Sequence, residues 1–129
     1  MRDVITEIRD LYDAEKYGDA VRLAEEAEQN GIVSAPLLVW KSRSFLLSDH
    51  SQFDLGDVEG WLLQALNLDP DYLPALLELG FFYLRVMDDV KRAWPLFERA
   101  HRVCTENATE IVIGLSECIA EMDSPTKPQ

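Results

Sequence analysis

Apolar residues return along this chain at helical spacing. Val4, Ile8 and Leu11 are separated by four and three residues, and Leu76, Leu79 and Tyr83 by three and four. Trp40, Phe45 and Leu47 mark a third stripe between them. No segment alternates apolar and polar residues as a half-buried strand would. Turn-forming residues interrupt the pattern at Gly18, at Asn30-Gly31, through the polar run from Asp49 to Asp57, at Asp69-Pro70 and at Asp88-Asp89. The breaks predict short helices over roughly 3–15, 18–29, 35–48, 55–68, 72–87, 89–104 and 108–122. Asn107 followed by Glu110 reads as a capping box that starts the last of these, and Asp71 as the cap of a helix whose first turn holds Pro74. Pro95 lies inside its helix, where it removes a donor and crowds the carbonyl of Lys91, so a bend or a later helix start is expected there.

The stripes also repeat. Val4, Trp40 and Leu76 are 36 residues apart, as are Leu11, Leu47 and Tyr83. A second series accompanies each: Ala20, Ala24 and Ala27; Val58, Leu62 and Ala65; Ala93, Phe97 and Ala100. A period of this length built from two helices is the sequence sign of a solenoid, because one pair cannot bury both of its faces. The third unit, Leu76-x2-Leu79-Gly80-x2-Tyr83 and then Ala93-x3-Phe97-x2-Ala100, resembles a tetratricopeptide repeat. The second unit ends Ala65-Leu66-Asn67-Leu68-Asp69-Pro70 as repeats of that family do, although Arg43-Ser44 stands where Leu-Gly is usual. The first unit lacks the Gly and the closing Pro, while Tyr17, Ala20, Ala24 and Ala27 keep the family's places. In such a repeat Gly80 lets paired helices approach closely.

The resemblance implies an all-α, right-handed solenoid of three helix-turn-helix pairs. It gives one domain over 1–122, with a seventh helix carrying Ile111, Leu115 and Cys118 as a cap. It further implies a concave groove lined by the first helix of each pair. The positions that would face it are Ile5, Arg9 and Tyr12, then Lys41, Phe45 and Ser48, then Leu77, Phe81, Leu84 and Arg85, with Val112, Ser116 and Ile119 from the cap. Of these, Arg9, Tyr12, Lys41, Phe45, Leu77, Phe81, Leu84 and Arg85 form the expected partner-binding set. Aromatic and aliphatic anchors beside Arg and Lys suit a peptide with apolar anchors and some negative charge. The alternative is that Phe45, Phe81 and Leu84 simply pack beneath the cap. Some family members clamp a C-terminal carboxylate with Lys, Asn and Arg; the corresponding places here include Ile5, Arg9, Ser42, Pro74 and Glu78, so that clamp is missing. Other three-repeat members act as secretion chaperones, a likeness at the level of fold alone.

Composition narrows the partners. The 129 residues hold 12 Lys and Arg against 24 Asp and Glu, a net charge of −12, with the acid concentrated towards the two ends. A phosphate backbone is a poor ligand for such a surface, so no nucleic acid is expected. With 47% apolar residues, and no secretory leader or long apolar run, the chain reads as a soluble cytoplasmic protein. The stretch DSPTKPQ over 123–129 reads as a flexible tail. Cys104 and Cys118 lack metal-site spacing and read as small buried residues. Asp49, His50, Asp54 and Asp57 carry metal-binding atoms but lack the Gly and closing Glu of a calcium loop, so no metal and no other cofactor is expected. No phosphate loop, GxSxG or HExxH is present, and His50 and His101 stand apart, which argues against an enzyme.

The expected function is therefore binding of another protein or peptide, as an adaptor or chaperone. A second reading uses the outer face. Asp19, Glu25, Glu26 and Glu28, with the loop acids Asp49, Asp54 and Asp57, would meet a basic protein such as a nuclease toxin, as acidic immunity proteins do. An uncovered two-helix edge would also let the chain pair with itself as a homodimer.

Overall fold

A computed structural model of the chain describes residues 3–48 and 54–122. The described residues are helical, with no strand among them, and form six helices: α1 (Val4–Asp13), α2 (Tyr17–Gln29), α3 (Ala35–Leu47), α4 (Leu55–Leu68), α5 (Leu73–Phe81) and α6 (Val90–Met122). A π-helical turn, Phe82–Val86, extends α5. No helix among the described residues is long and apolar enough to cross a membrane. The expected tail, together with Asp49 and His50 of the polar run, lies outside the described residues.

Local side-chain chemistry sets the starts of α1, α3 and α4. Asp3 caps α1 and Ser34 caps α3, each accepting a backbone N–H of the first turn. Asp54 and Asp57 form a reciprocal box at α4: Asp54 accepts the Asp57 N–H at 3.0 Å, and Asp57 accepts the Asp54 N–H at 2.9 Å. These two loop acids thus serve the helix terminus. Gly31, at φ 83°, turns the chain after α2, and Asp88, at φ 52°, turns it before α6. Asp71 does not cap α5, which has Tyr72 at its N-cap and no side-chain bond there. The Asp71 carboxylate instead accepts from Arg99 Nε at 3.1 Å, tying the start of α5 to α6.

The last third departs furthest from the expected helices. The pattern over 72–87 predicts one α-helix, but its end widens into the π turn, with the Met87 N–H bonded to the Phe82 carbonyl at 3.1 Å. Val90–Met122 is one continuous helix of 33 residues, so Asn107 and Glu110 start nothing and the separate cap helix is absent. Local capping signals at Asn107 compete with propagation of a helix already nucleated, and propagation prevails. Nor does Pro95 delay the start: α6 begins at Val90, with Asp89 accepting from the Arg92 N–H at 3.2 Å.

Each helix packs on the next, and in addition α1 packs on α3 and α3 on α5. One buried cluster joins Ile8 of α1, Ala20, Ala24 and Ala27 of α2, and Leu37 of α3. A larger one runs from Val21 through Leu38, Phe45, Val58 and Leu62 to Leu79, Phe82, Tyr83 and Ala93. The alanines on α2, α4 and α6 let neighbouring backbones approach. Gly80 goes further: a Cβ there would lie 2.9 Å from the Phe97 ring, which is why that position has no side chain.

Candidate functional site

Positions 36 residues apart on α3 and α5 meet different surroundings. Lys41 is 4% exposed; its ammonium donates to Glu28 Oε1 at 2.7 Å and sits 4.1 Å above the Trp61 ring. Phe45 is 7% exposed and meets Trp61 edge-on at 5.8 Å. Lys41 and Phe45, expected on an open groove, are therefore core residues. The physical reason is that α4 brings Trp61 over both. The same ion pair turns Glu28 inward, so it is withdrawn from the acidic outer face to which it was assigned. Leu47, expected in the packed stripe, is half exposed. Ser44, one turn earlier, is buried with a hydroxyl that has no hydrogen-bond partner.

On α5 the corresponding residues stay open. Leu77, Phe81 and Leu84 are each a little over one third exposed. Arg85 lies with its guanidinium carbon 4.1 Å from the Phe81 ring centre, a cation–π contact that holds charge beside the apolar surface. Phe81 meets Phe97 of α6 edge-on at 5.0 Å. Phe97 in turn lines a groove of about 560 Å³ with Trp94, Pro95, Glu98, His101 and Arg102. Trp94 is 64% exposed. The α5–α6 face therefore joins Phe81, Arg85, Phe97 and Trp94 in one apolar surface carrying cations and one carboxylate.

The remaining expected residues sit elsewhere. Arg9 is exposed and Tyr12 half-buried on α1; the Tyr12 ring packs edge-on against Tyr17 at 5.4 Å and Trp40 at 5.2 Å. Arg43 pairs with Glu78, an ion pair that ties α3 to α5. The repeat spacing does not single out Trp94 or His101 for this surface. Their signal is present all the same: they lie seven residues apart, beside the Ala93-Phe97-Ala100 stripe, and widen the apolar arc of α6 beyond what one neighbour can cover.

Two groups carry further chemistry. Tyr83 is buried and donates to Glu59 Oε2 at 2.7 Å, while Arg92 Nη1 reaches the same oxygen at 3.3 Å. Burial first, and the Glu59 carboxylate second, push the Tyr83 phenol up to about 12, with Arg92 opposing. This cluster links α4 to α6. Cys104 and Cys118, expected to be buried, are both exposed, because the half of α6 that bears them extends past α5. Comparison with known protein families, characterised proteins and solved structures finds no match to this chain.

Proposed function

We propose that this protein is a tetratricopeptide-like interaction module whose binding surface is the open α5–α6 face, where it takes an apolar-anchored segment of a partner protein or peptide. The observation that carries the reading is the contrast in cover. Residues that are core on α3 have counterparts on α5 that stay exposed, in contact with Phe97 and next to the groove at Trp94. Large apolar groups left in solvent beside an Arg are the usual composition of a protein-binding patch. The solenoid reading draws support from the packing of α1 on α3 and α3 on α5, which gives one layer of first helices. On this reading the mechanism is complementarity of shape and charge, with Phe81 and Trp94 as anchors and Arg85 selecting a segment that carries a carboxylate. Arg9 and Tyr12 would extend the surface on α1.

The test compares affinity capture from the native host by the wild type and by Phe81→Ala/Trp94→Ala, with helicity monitored by circular dichroism. The reading expects the specific partner to be lost while helicity is kept. A partner retained by that variant and released steeply by salt would move the site to the acidic face at Glu25 and Glu26 and favour the inhibitor reading. Turnover by the purified protein that survives loss of Phe81 and Trp94 would refute a binding role altogether.

A further inference from the structure

The apolar stripe of α6 does not stop where its neighbour does. Ala93 and Ala100 are buried and Phe97 half-buried against α5, and Arg99 is tied to Asp71 just before that helix begins. Continued at 100° per residue, the same face carries Cys104, Ala108, Leu115, Cys118 and Met122, with Val112 and Ile119 along one edge. All of these are exposed: Val112 61%, Leu115 59%, Ile119 58% and Met122 80%. Ile113 lies off the stripe. Glu106, Glu110 and Glu117 project within about 40° of one another, on the side away from Leu115. Among the described side chains of residues 104–122, a chain with a net charge of −12 thus places no acid on that face.

We infer that residues 104–122 pair with the same segment of a second copy of this chain, antiparallel, to make a homodimer. Direction comes from the fold. At its root the stripe is already occupied by α5, so a parallel partner helix would run into that helix. An antiparallel one ends at the edge of α5 and places its own body beyond Met122. The two-fold axis then crosses α6 near residue 113, the middle of the uncovered stretch. The contact is closed, so it makes a dimer instead of a filament. Ala108 of one copy faces Cys118 of the other, small against small, and Glu106, Glu110 and Glu117 of both point outward. The seam is continuous with the packed interface between α5 and α6, since the second copy's helix prolongs the line of α5. Over about 28 Å of helix, five or six aliphatic side chains from each copy cover on the order of 1,000 Å² in total, at the low end for specific association. The dimer is therefore weak and reversible, with Kd on the order of 10 μM.

The experiment is sedimentation velocity of the full chain from about 1 to 200 μM, at low and at high salt. Dimer is expected to grow with concentration and with salt, because screening relieves repulsion between two acidic bodies; a basic partner would show the opposite salt dependence. Leu115→Glu/Ile119→Glu is expected to stay monomeric throughout. Ala108→Pro separates the remaining alternative. Proline is favoured at the first position of a helix capped by Asn107, but it breaks a continuous one. Loss of the dimer in Ala108→Pro supports the seam. A wild type that stays monomeric at the highest concentration, or a dimer untouched by either variant, overturns it. With Cys104→Ser, oxidation of Ala108→Cys is expected to link residue 108 of one copy to Cys118 of the other. A link between the two copies of Cys118 would overturn the antiparallel register. None of these outcomes depends on Phe81 or Trp94.

Discussion

Phe45 and Phe81 occupy the same place in a 36-residue period, yet one is 7% and the other 37% exposed. Lys41 and Leu77 differ in the same direction, with the charged residue buried and the apolar one open. The cause lies in the number of helices stacked behind each. Behind α3 come α4, with Trp61, and then α5; behind α5 comes α6 alone, which then runs on without a break to Met122. Whether a position in the period is core or surface follows from the helices packed over it. The two halves of α6 repeat the lesson, since one stripe is covered up to Ala100 and bare from Cys104 onward.

Truncation should separate the two phenylalanines most widely. Phe45→Ala is expected to cost about 3 kcal/mol or more in urea unfolding, because the surrounding helices cannot collapse onto the void. Phe81→Ala should cost only about 1 kcal/mol, its ring being partly solvated and held by Phe97 and Arg85. Equal losses would remove the distinction between α3 and α5. For the second pair, Lys41→Ala should cost about 2 kcal/mol by leaving Glu28 without its ammonium. Lys41→Met should recover most of that, since the Met chain packs under Trp61 and Glu28, itself one quarter exposed, can turn to water. Leu77→Ala should cost less than Lys41→Ala.

A smaller effect of opposite sign is expected one residue before Phe45. Removing the partnerless hydroxyl with Ser44→Ala should stabilise the fold by about 1 kcal/mol. The last test is spectroscopic. In an ultraviolet titration the Tyr83 phenol should ionise near pH 12, above the ordinary phenol value of 10. Its folded pKa lies above the ordinary value of 10, so its contribution to stability is intact below pH 10 and is lost as pH rises towards 12. Glu59→Gln should lower that ionisation, because the carboxylate is one of its causes.

The three-and-four spacing and the turn-forming breaks were enough to set the helices from α1 to α4, because they act over a few residues and need no distant partner; the caps at Asp3, Ser34 and the Asp54–Asp57 box were not read from the sequence. The tight place at Gly80 was equally legible, where an added Cβ would press against the Phe97 ring. Packing alone settled whether Phe45 and Lys41 faced a groove or a core, since amphipathic spacing names a face to be covered without naming the cover. Glu28 was turned inward by Lys41, thirteen residues away, and no local pattern records that pairing. At the far end, Asn107 and Glu110 carry the signal of a helix start. Whether such a signal ends one helix or is passed over depends on contacts available beyond it, and along α6 the neighbour that would reward a fold-back is not α5, which stops short of that residue.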